Sequence, residues 1–313
     1  YGMLAVLMVG AFIALLNNTL INVAMPSIMH HFQIRESTVQ WLQTGFMLVN
    51  GNVIPATAFL IQKYSVRHLF LGAMGLFACG TLIAGFAPYY GVLLAGRLTQ
   101  AAGAAIMMPL LMNVMLVSFP PERRGQAMGL FGLVMVFAPA AGPTLSGWIV
   151  QHYHWPVIFR LVAPIAILVW VVAWFVLRDN KEKGDISLDS LSLVLSTLGF
   201  GGILYSVGSA GNRGWSDPLV YGGLAIGLVA LVCFIMRQLK LEKPMLNFRV
   251  FRYPMFSLST AIVITMSLSM FSAMLLLPLY LQNLRGFSPL ESGLLLLPGA
   301  LCLGLMSPLA GRW

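Results

Sequence analysis

Apolar runs long enough to cross a lipid bilayer, repeated from end to end, constrain this chain more than any motif in it. A membrane-spanning helix needs about 20 mostly apolar residues. Such runs occupy about 2–23, 38–61, 69–87, 91–117, 127–149, 157–177, 189–209, 218–236, 255–281 and 289–311. In hydrocarbon every backbone N–H and C=O must be paired within its own segment, so runs of this length predict helices. The 313 residues hold ten such spans with little left over, which excludes a sizeable soluble domain. Composition agrees, with 59% hydrophobic residues, 9% charged ones and a mean hydropathy of +0.87; an average soluble domain is about 25% charged. The expectation is an all-α integral membrane protein.

The net charge of +9 does not point to nucleic acid, because the charges sit in the short loops between spans. Lys63 and Arg67, Arg123 and Arg124, Arg178, Lys181 and Lys183, and then Arg237, Lys240, Lys243, Arg249 and Arg252 fall in alternate loops. The intervening loops carry only Arg35, Arg213 and Arg285, with Arg160 near a boundary. Basic loops face the cytoplasm, so the first span starts inside and the 24–37 loop lies outside. The first span has no basic leader before it, so it reads as a membrane helix rather than a signal peptide. The chain lacks an initiator Met and stops just after a span, which reads as a fragment of something longer.

Cys79, Cys233 and Cys302 lie inside apolar runs, as small hydrophobes rather than a disulfide or metal set. His30, His31, His68, His152 and His154 are in loops with no Cys or acidic group placed to complete a metal site, so no metal is expected. No nucleotide-binding or hydrolase motif occurs, so no cofactor and no enzyme activity is expected.

A weak internal echo is present. Pro26, Ser37-Thr38 and Pro55 recur as Pro278, Ser288-Pro289 and Pro308 at an offset of about 252 residues. Parallel repeats build one large class of transporters, and this offset fits six helices plus two inserted ones.

Polar residues inside the spans are few. All nine acidic residues (Glu36, Glu122, Asp179, Glu182, Asp185, Asp189, Asp217, Glu242 and Glu291) fall outside the hydrocarbon. Proton-coupled carriers usually place a carboxylate at membrane depth; the middle of span 1 carries the amides Asn17 and Asn18 instead. They either bind a polar ligand or hydrogen-bond a neighbouring helix. Arg97 is the one basic residue well inside a span, where a charge costs at least about 2.5 kcal/mol. It either faces the bundle interior, with Gln100, Ala101, Ala104 and Met108 on the same face, or snorkels to the surface. Span 2 bears a stripe of Gln40, Gln43, Thr44, Met47, Asn50 and Gly51, which lines a cavity or seams two helices. Met266, Met270 and Met274 in span 9 suit either promiscuous apolar binding or packing. Span 5 holds Pro139, Gly142, Pro143 and Gly147 within Ala138–Gly147, a pattern for a bend or a tight helix crossing.

Together these motifs resemble the major facilitator superfamily, and within it the drug:proton antiporters with 14 spans, near the Gram-positive multidrug and lincomycin-type exporters. Leu16–Pro26 is similar to that family's first-helix signature, and Leu94–Ala105 to its fourth-helix motif, whose Arg is tied to proton coupling. The span 5 segment is similar to its antiporter motif, and Pro120–Ala127 to the loop before it. The sequence departs at Asn17 or Asn18, where the family carries an acid. It departs again at Gln62, which replaces the Asp of the loop after span 2, and at Pro156, which follows Trp155 where an Arg is common.

The resemblance implies a major facilitator fold with about ten of 14 helices present. Residues 1–177 form a first six-helix half, 178–254 two inserted helices with cytoplasmic loops, and 255–313 the start of the second half. It implies a monomeric exporter of small amphipathic substrates in the bacterial inner membrane, driven by protons through alternating access. Asn17, Asn18, Gln43, Met47, Asn50, Arg97 and Gln100 would form the cavity wall, with Arg97 in proton coupling. Pro139, Gly142, Pro143 and Gly147 would serve gating. The rival readings are a carrier of one metabolite or lipid without proton coupling, and a non-transporting membrane sensor.

Overall fold

The computed structural model describes residues 2–178, 189–242 and 244–287, together with the isolated positions 295, 298, 299, 302 and 306. The tenth run, 289–311, falls almost wholly outside the described residues, as do Lys181, Lys183 and Lys243. The described chain is helical throughout: α1 (Gly2–Phe32), the short α2 (Glu36–Val39), α3 (Trp41–Lys63), α4 (Val66–Gly85) and α5 (Tyr90–Ser118). A 3-10 turn at Pro121–Arg123 precedes α6 (Arg124–His152) and α7 (Pro156–Val176). Next come α8 (Ser190–Arg213), α9 (Pro218–Lys240), a 3-10 turn at Phe248–Arg252 and α10 (Pro254–Leu279), which runs into a π-turn at Tyr280–Leu284. Among the described residues eight helical segments are long and apolar enough to cross a membrane, and α10 follows them as a ninth apolar helix.

Helix ends coincide with capping chemistry. Pro156, Pro218 and Pro254 stand in the first turns of α7, α9 and α10, where the missing N–H is no loss. Asp189 and Asp217 accept from Ser192 N and Leu219 N at the starts of α8 and α9. The helices run through interior prolines: Pro26 in α1, Pro55 in α3, Pro109 in α5 and Pro164 in α7. The first helix therefore extends past residue 23, where the apolar run ends, as far as Phe32.

Helices α1 and α3–α7 form one bundle. Helix α1 packs on α5, α6 and α7, α4 on α5 and α7, and α3 on α5. Lipid gives helices no hydrophobic reason to associate, so close backbone approach between small residues carries the packing. The α4–α5 crossing shows this: a Cβ on Gly80 would lie 2.6 Å from Gly96 O and from Gln100 N. Arg67 Nη2 donates to Trp174 O and Trp170 Nε1 to Leu71 O, which pins α4 to α7.

Helix α8 packs on α3 and α9 on α8. On the basic side this pair is clasped by Arg237, which donates to Asp189 through Nε at 2.8 Å and Nη2 at 2.9 Å. The neighbouring Gln238, itself buried, donates to Ser192 Oγ and accepts from Leu246 N. The described part of α10 packs chiefly on the turns at its own two ends, and its apolar side chains stand exposed.

Candidate functional site

The crossing of α4 and α5 brings two polar side chains of α5, Arg97 and Gln100, into the bundle beside α1. Both are 0% exposed, so Arg97 does not snorkel. Its Nη1 donates to Asn17 Oδ1 at 3.1 Å and to Gln100 Oε1 at 3.0 Å, while Nη2 donates to Asn18 Oδ1 at 3.1 Å. Gln100 Nε2 passes the chain on to Thr81 Oγ1 of α4 at 2.7 Å, and Thr81 donates to Phe77 O. The face of Phe46 in α3 lies 4.4 Å from Arg97 Cζ, a cation–π contact.

Helices α1, α3 and α5 therefore meet on one guanidinium, with α4 joined through Gln100, and every acceptor it uses among the described residues is a neutral amide oxygen. The described acidic residues all stand at helix ends or in turns: Glu36, Glu122, Asp189, Asp217 and Glu242. The charge is thus compensated by dipoles and a ring quadrupole rather than by a carboxylate. Two buried donors stay unpaired there, Arg97 Nε and Asn17 Nδ2. Among the described residues the hub thus carries a full positive charge with no carboxylate beside it and two spare N–H groups.

The segment around Pro139 and Pro143 is continuous α-helix. It makes a tight crossing with α1, directly after the two asparagines. A Cβ on Gly142 would lie 2.0 Å from Thr19 Oγ1 and 2.6 Å from Thr19 Cβ. Thr19 Oγ1 donates to Leu16 O at 2.8 Å and reaches Ala138 O at 3.5 Å, and Ser146 Oγ donates to Leu20 O across the same seam. A Cβ on Gly147, by contrast, would meet nothing within 4 Å. Pro139 is half-buried, and the side chain of Pro143 lies outside what is described.

The stripe on α3 divides. Thr44 and Gly51 face Gly208 and Leu204 of α8, and the Trp41 and Tyr205 rings lie 6.0 Å apart, so this part of the stripe is a helix seam. Asn50 donates to Phe46 O in its own helix, Met47 is exposed, and Gln43 keeps a buried Oε1 without a partner. A crevice of about 630 Å³ opens between α3, α5 and α8 towards their basic ends. Ile54, Ala58, Pro109, Asn113 and Phe200 line it, and none of the seven cavity-wall residues named from sequence does.

Sequence reasoning missed Thr81 and Phe46, which complete the hub, and Asn113 in the crevice. The small residues Gly80 and Gly96, beside Thr81 and Arg97, were the available signal for that crossing. No group of three His, Cys, Asp or Glu side chains able to hold a metal occurs among the described residues.

Comparison with known proteins places this architecture. The chain is 52% identical over 309 residues to the MFS-type transporter YhcA of Bacillus subtilis, covering 99% of this chain and 58% of YhcA. It is 42% identical over 308 residues to the lincomycin resistance protein LmrB of Bacillus subtilis, covering 98% of this chain and 64% of LmrB. It thus spans about three-fifths of the length of these relatives. Among solved structures, the human organic anion transporter MFSD10 (TETRAN) superposes with a TM-score of 0.52 at 15% identity, over 100% of this chain and 86% of that one, a likeness of fold. With the Major Facilitator Superfamily profile matching residues 7–313, and helices long and apolar enough to cross the bilayer many times, the chain is a multi-pass membrane protein that belongs to the Major Facilitator Superfamily.

Proposed function

We propose that this protein is a secondary transporter that exports small amphipathic drugs from a bacterial cell across the inner membrane, by alternating access and in exchange for protons. The observation that carries the reading is Arg97: a charge at membrane depth, held between α1 and α5 by Asn17, Asn18 and Gln100. Burial of a charge there is costly and marks a functional position by default. The similarity to a lincomycin resistance protein of Bacillus subtilis supports the substrate class.

In this reading the protein has 14 spans and acts as a monomer. Residues 1–177 are the first half, 178–254 an inserted pair and 255–313 the opening of the second half, and the halves rock about a central cavity. Asn17, Asn18, Gln43, Met47, Asn50 and Gln100 face or support that cavity. The Gly142–Thr19 crossing, with Pro139, Pro143 and Gly147 beside it, is the stiff element that carries gating motion. A neutral amide cannot bind and release a proton, so Arg97 acts as the electrostatic partner of a titrating carboxylate that lies outside α1–α10. The lack of any acid at membrane depth within these helices favours one second reading, a carrier of a single metabolite or lipid without proton coupling.

Efflux of a cationic dye from proteoliposomes separates the two. A pH gradient that drives dye against its own gradient supports antiport; dye flux indifferent to the pH gradient supports drug export without proton coupling; no flux of any dye overturns drug export and supports the second reading.

A further inference from the structure

The turn that joins α9 to α10 has a charge pattern that the proposed transport role leaves unexplained. Between residues 237 and 253 stand five basic residues, Arg237, Lys240, Lys243, Arg249 and Arg252, against one acid, Glu242. Arg237 is already neutralised by Asp189 at 2.8 Å. The 3-10 turn Phe248–Arg252 folds back on the end of α9 and forms one side of an open surface cavity of about 490 Å³ lined by Leu239, Phe248, Arg249, Phe251 and Arg252. We propose that this cavity is a headgroup site for an anionic phospholipid of the leaflet on the basic side of the membrane.

Position and chemistry both argue for it. Helix α9 ends at Lys240 and α10 starts at Pro254, so the turn between them sits where two membrane helices reach the interface. Phe251, Tyr253 and Phe256 are exposed there, and aromatic side chains favour the headgroup level. The Phe248 and Phe251 rings lie 6.4 Å apart and nearly parallel, forming one apolar wall.

The cations are held ready. Arg249 Nη2 donates to Leu239 O at 3.0 Å and Leu241 O at 3.4 Å, which fixes its guanidinium at the cavity edge. Arg252 is exposed and has no hydrogen-bond or ion-pair partner among the described residues. A free guanidinium fork suits a phosphate. An anionic phospholipid presents both phosphate for Arg249 and Arg252 and acyl chain for Leu239, Phe248 and Phe251. A free phosphate would leave the apolar wall in water.

The test is lipid retention by the purified protein in detergent micelles carrying phosphatidylglycerol or phosphatidylcholine, read by native mass spectrometry. A basic side chain near an anionic surface contributes about fivefold in binding. The protein is expected to retain phosphatidylglycerol roughly fivefold more than phosphatidylcholine. Arg252→Gln is expected to lower phosphatidylglycerol retention by about the same factor without changing phosphatidylcholine, and Arg252→Lys to restore most of it. Equal retention of the two lipids by the unmodified protein overturns the site, and so does an unchanged preference in Arg252→Gln. Displacement of phosphatidylglycerol by inorganic phosphate alone identifies a simple anion site and overturns the lipid assignment.

Discussion

Arg97 in α5 and Asn17 in α1, 80 positions apart in the chain, are joined by a 3.1 Å hydrogen bond in which a buried guanidinium donates to a neutral amide. A carboxylate in the place of Asn17 would make an ion pair there, and its absence sets the character of the whole hub. Asn17→Asp is therefore expected to stabilise the protein, because it supplies a counter-charge to a cation that has none among the described residues and turns a bond with one charged partner into an ion pair. The gain should be about 1–2 kcal/mol, read as a raised thermal unfolding midpoint in detergent. A lowered midpoint would show that the amides already satisfy the charge.

Loss of the guanidinium acts in the other direction. Arg97→Ala leaves Asn17 Oδ1, Asn18 Oδ1 and Gln100 Oε1 without their donor. Asn17 and Gln100 are fully buried and Asn18 partly so; an unpaired buried acceptor costs about 1–3 kcal/mol, so a total of about 3 kcal/mol is expected from chemical denaturation. Arg97→Lys keeps the charge but lacks the planar fork that reaches both asparagines, and should fall between. Equal stability of all three proteins would contradict the hub.

The α1–α6 seam gives a paired prediction. Gly142→Ala drives a methyl into Thr19, where the built Cβ lies 2.0 Å from Oγ1, and should cost about 1–3 kcal/mol through forced separation of the helices. Gly147→Ala meets nothing within 4 Å and should change stability by less than about 0.5 kcal/mol. Thermal unfolding of the two variants side by side decides the point, and similar losses would remove the close approach as the reason for glycine at 142.

The Asp189–Arg237 clasp predicts a pH dependence. Hydrogen bonding from Arg237, aided by Ser192, lowers the Asp189 carboxyl to about 2, from an ordinary value of about 3.9. The folded form then binds the proton less readily than the unfolded one. Its stabilising effect is fully present above about pH 4 and is lost as the pH falls towards 2. Asp189→Asn should lower the unfolding midpoint at pH 6, and the difference from the unmodified protein should shrink as the pH approaches 2. A difference that stays constant with pH would show that the pair contributes nothing through its charge.

The long helices were legible because lipid leaves a chain few choices: where a run of twenty apolar residues occurs, a helix follows. Arg97 and Gln100 were legible as an inward pair because the spacing of three places them on one helical face, and because a charge at that depth must be hidden. Their partners were less so. Asn18, Thr81 and Phe46 come from three other helices, and a sequence carries no record of which faces meet. The stripe on α3 left cavity and seam open, since polarity alone does not say whether water or another helix covers it; α8 takes Thr44 and Gly51. Pro139 and Pro143 read equally as a bend or a crossing. The helix runs on through them, and the crossing appears at Gly142. The crevice at Asn113 went unread because its walls are mostly aliphatic and come from three separate helices.

The central claim is that Arg97 serves transport and not merely packing. The direct measurement is the initial rate of pH-driven dye efflux from proteoliposomes holding matched amounts of the unmodified protein, Arg97→Gln and Arg97→Lys. Both variants are compared at a temperature where they remain folded by circular dichroism. Arg97→Gln should slow efflux by about tenfold or more, and Arg97→Lys should retain part of the rate. Efflux from folded Arg97→Gln at the unmodified rate would contradict it.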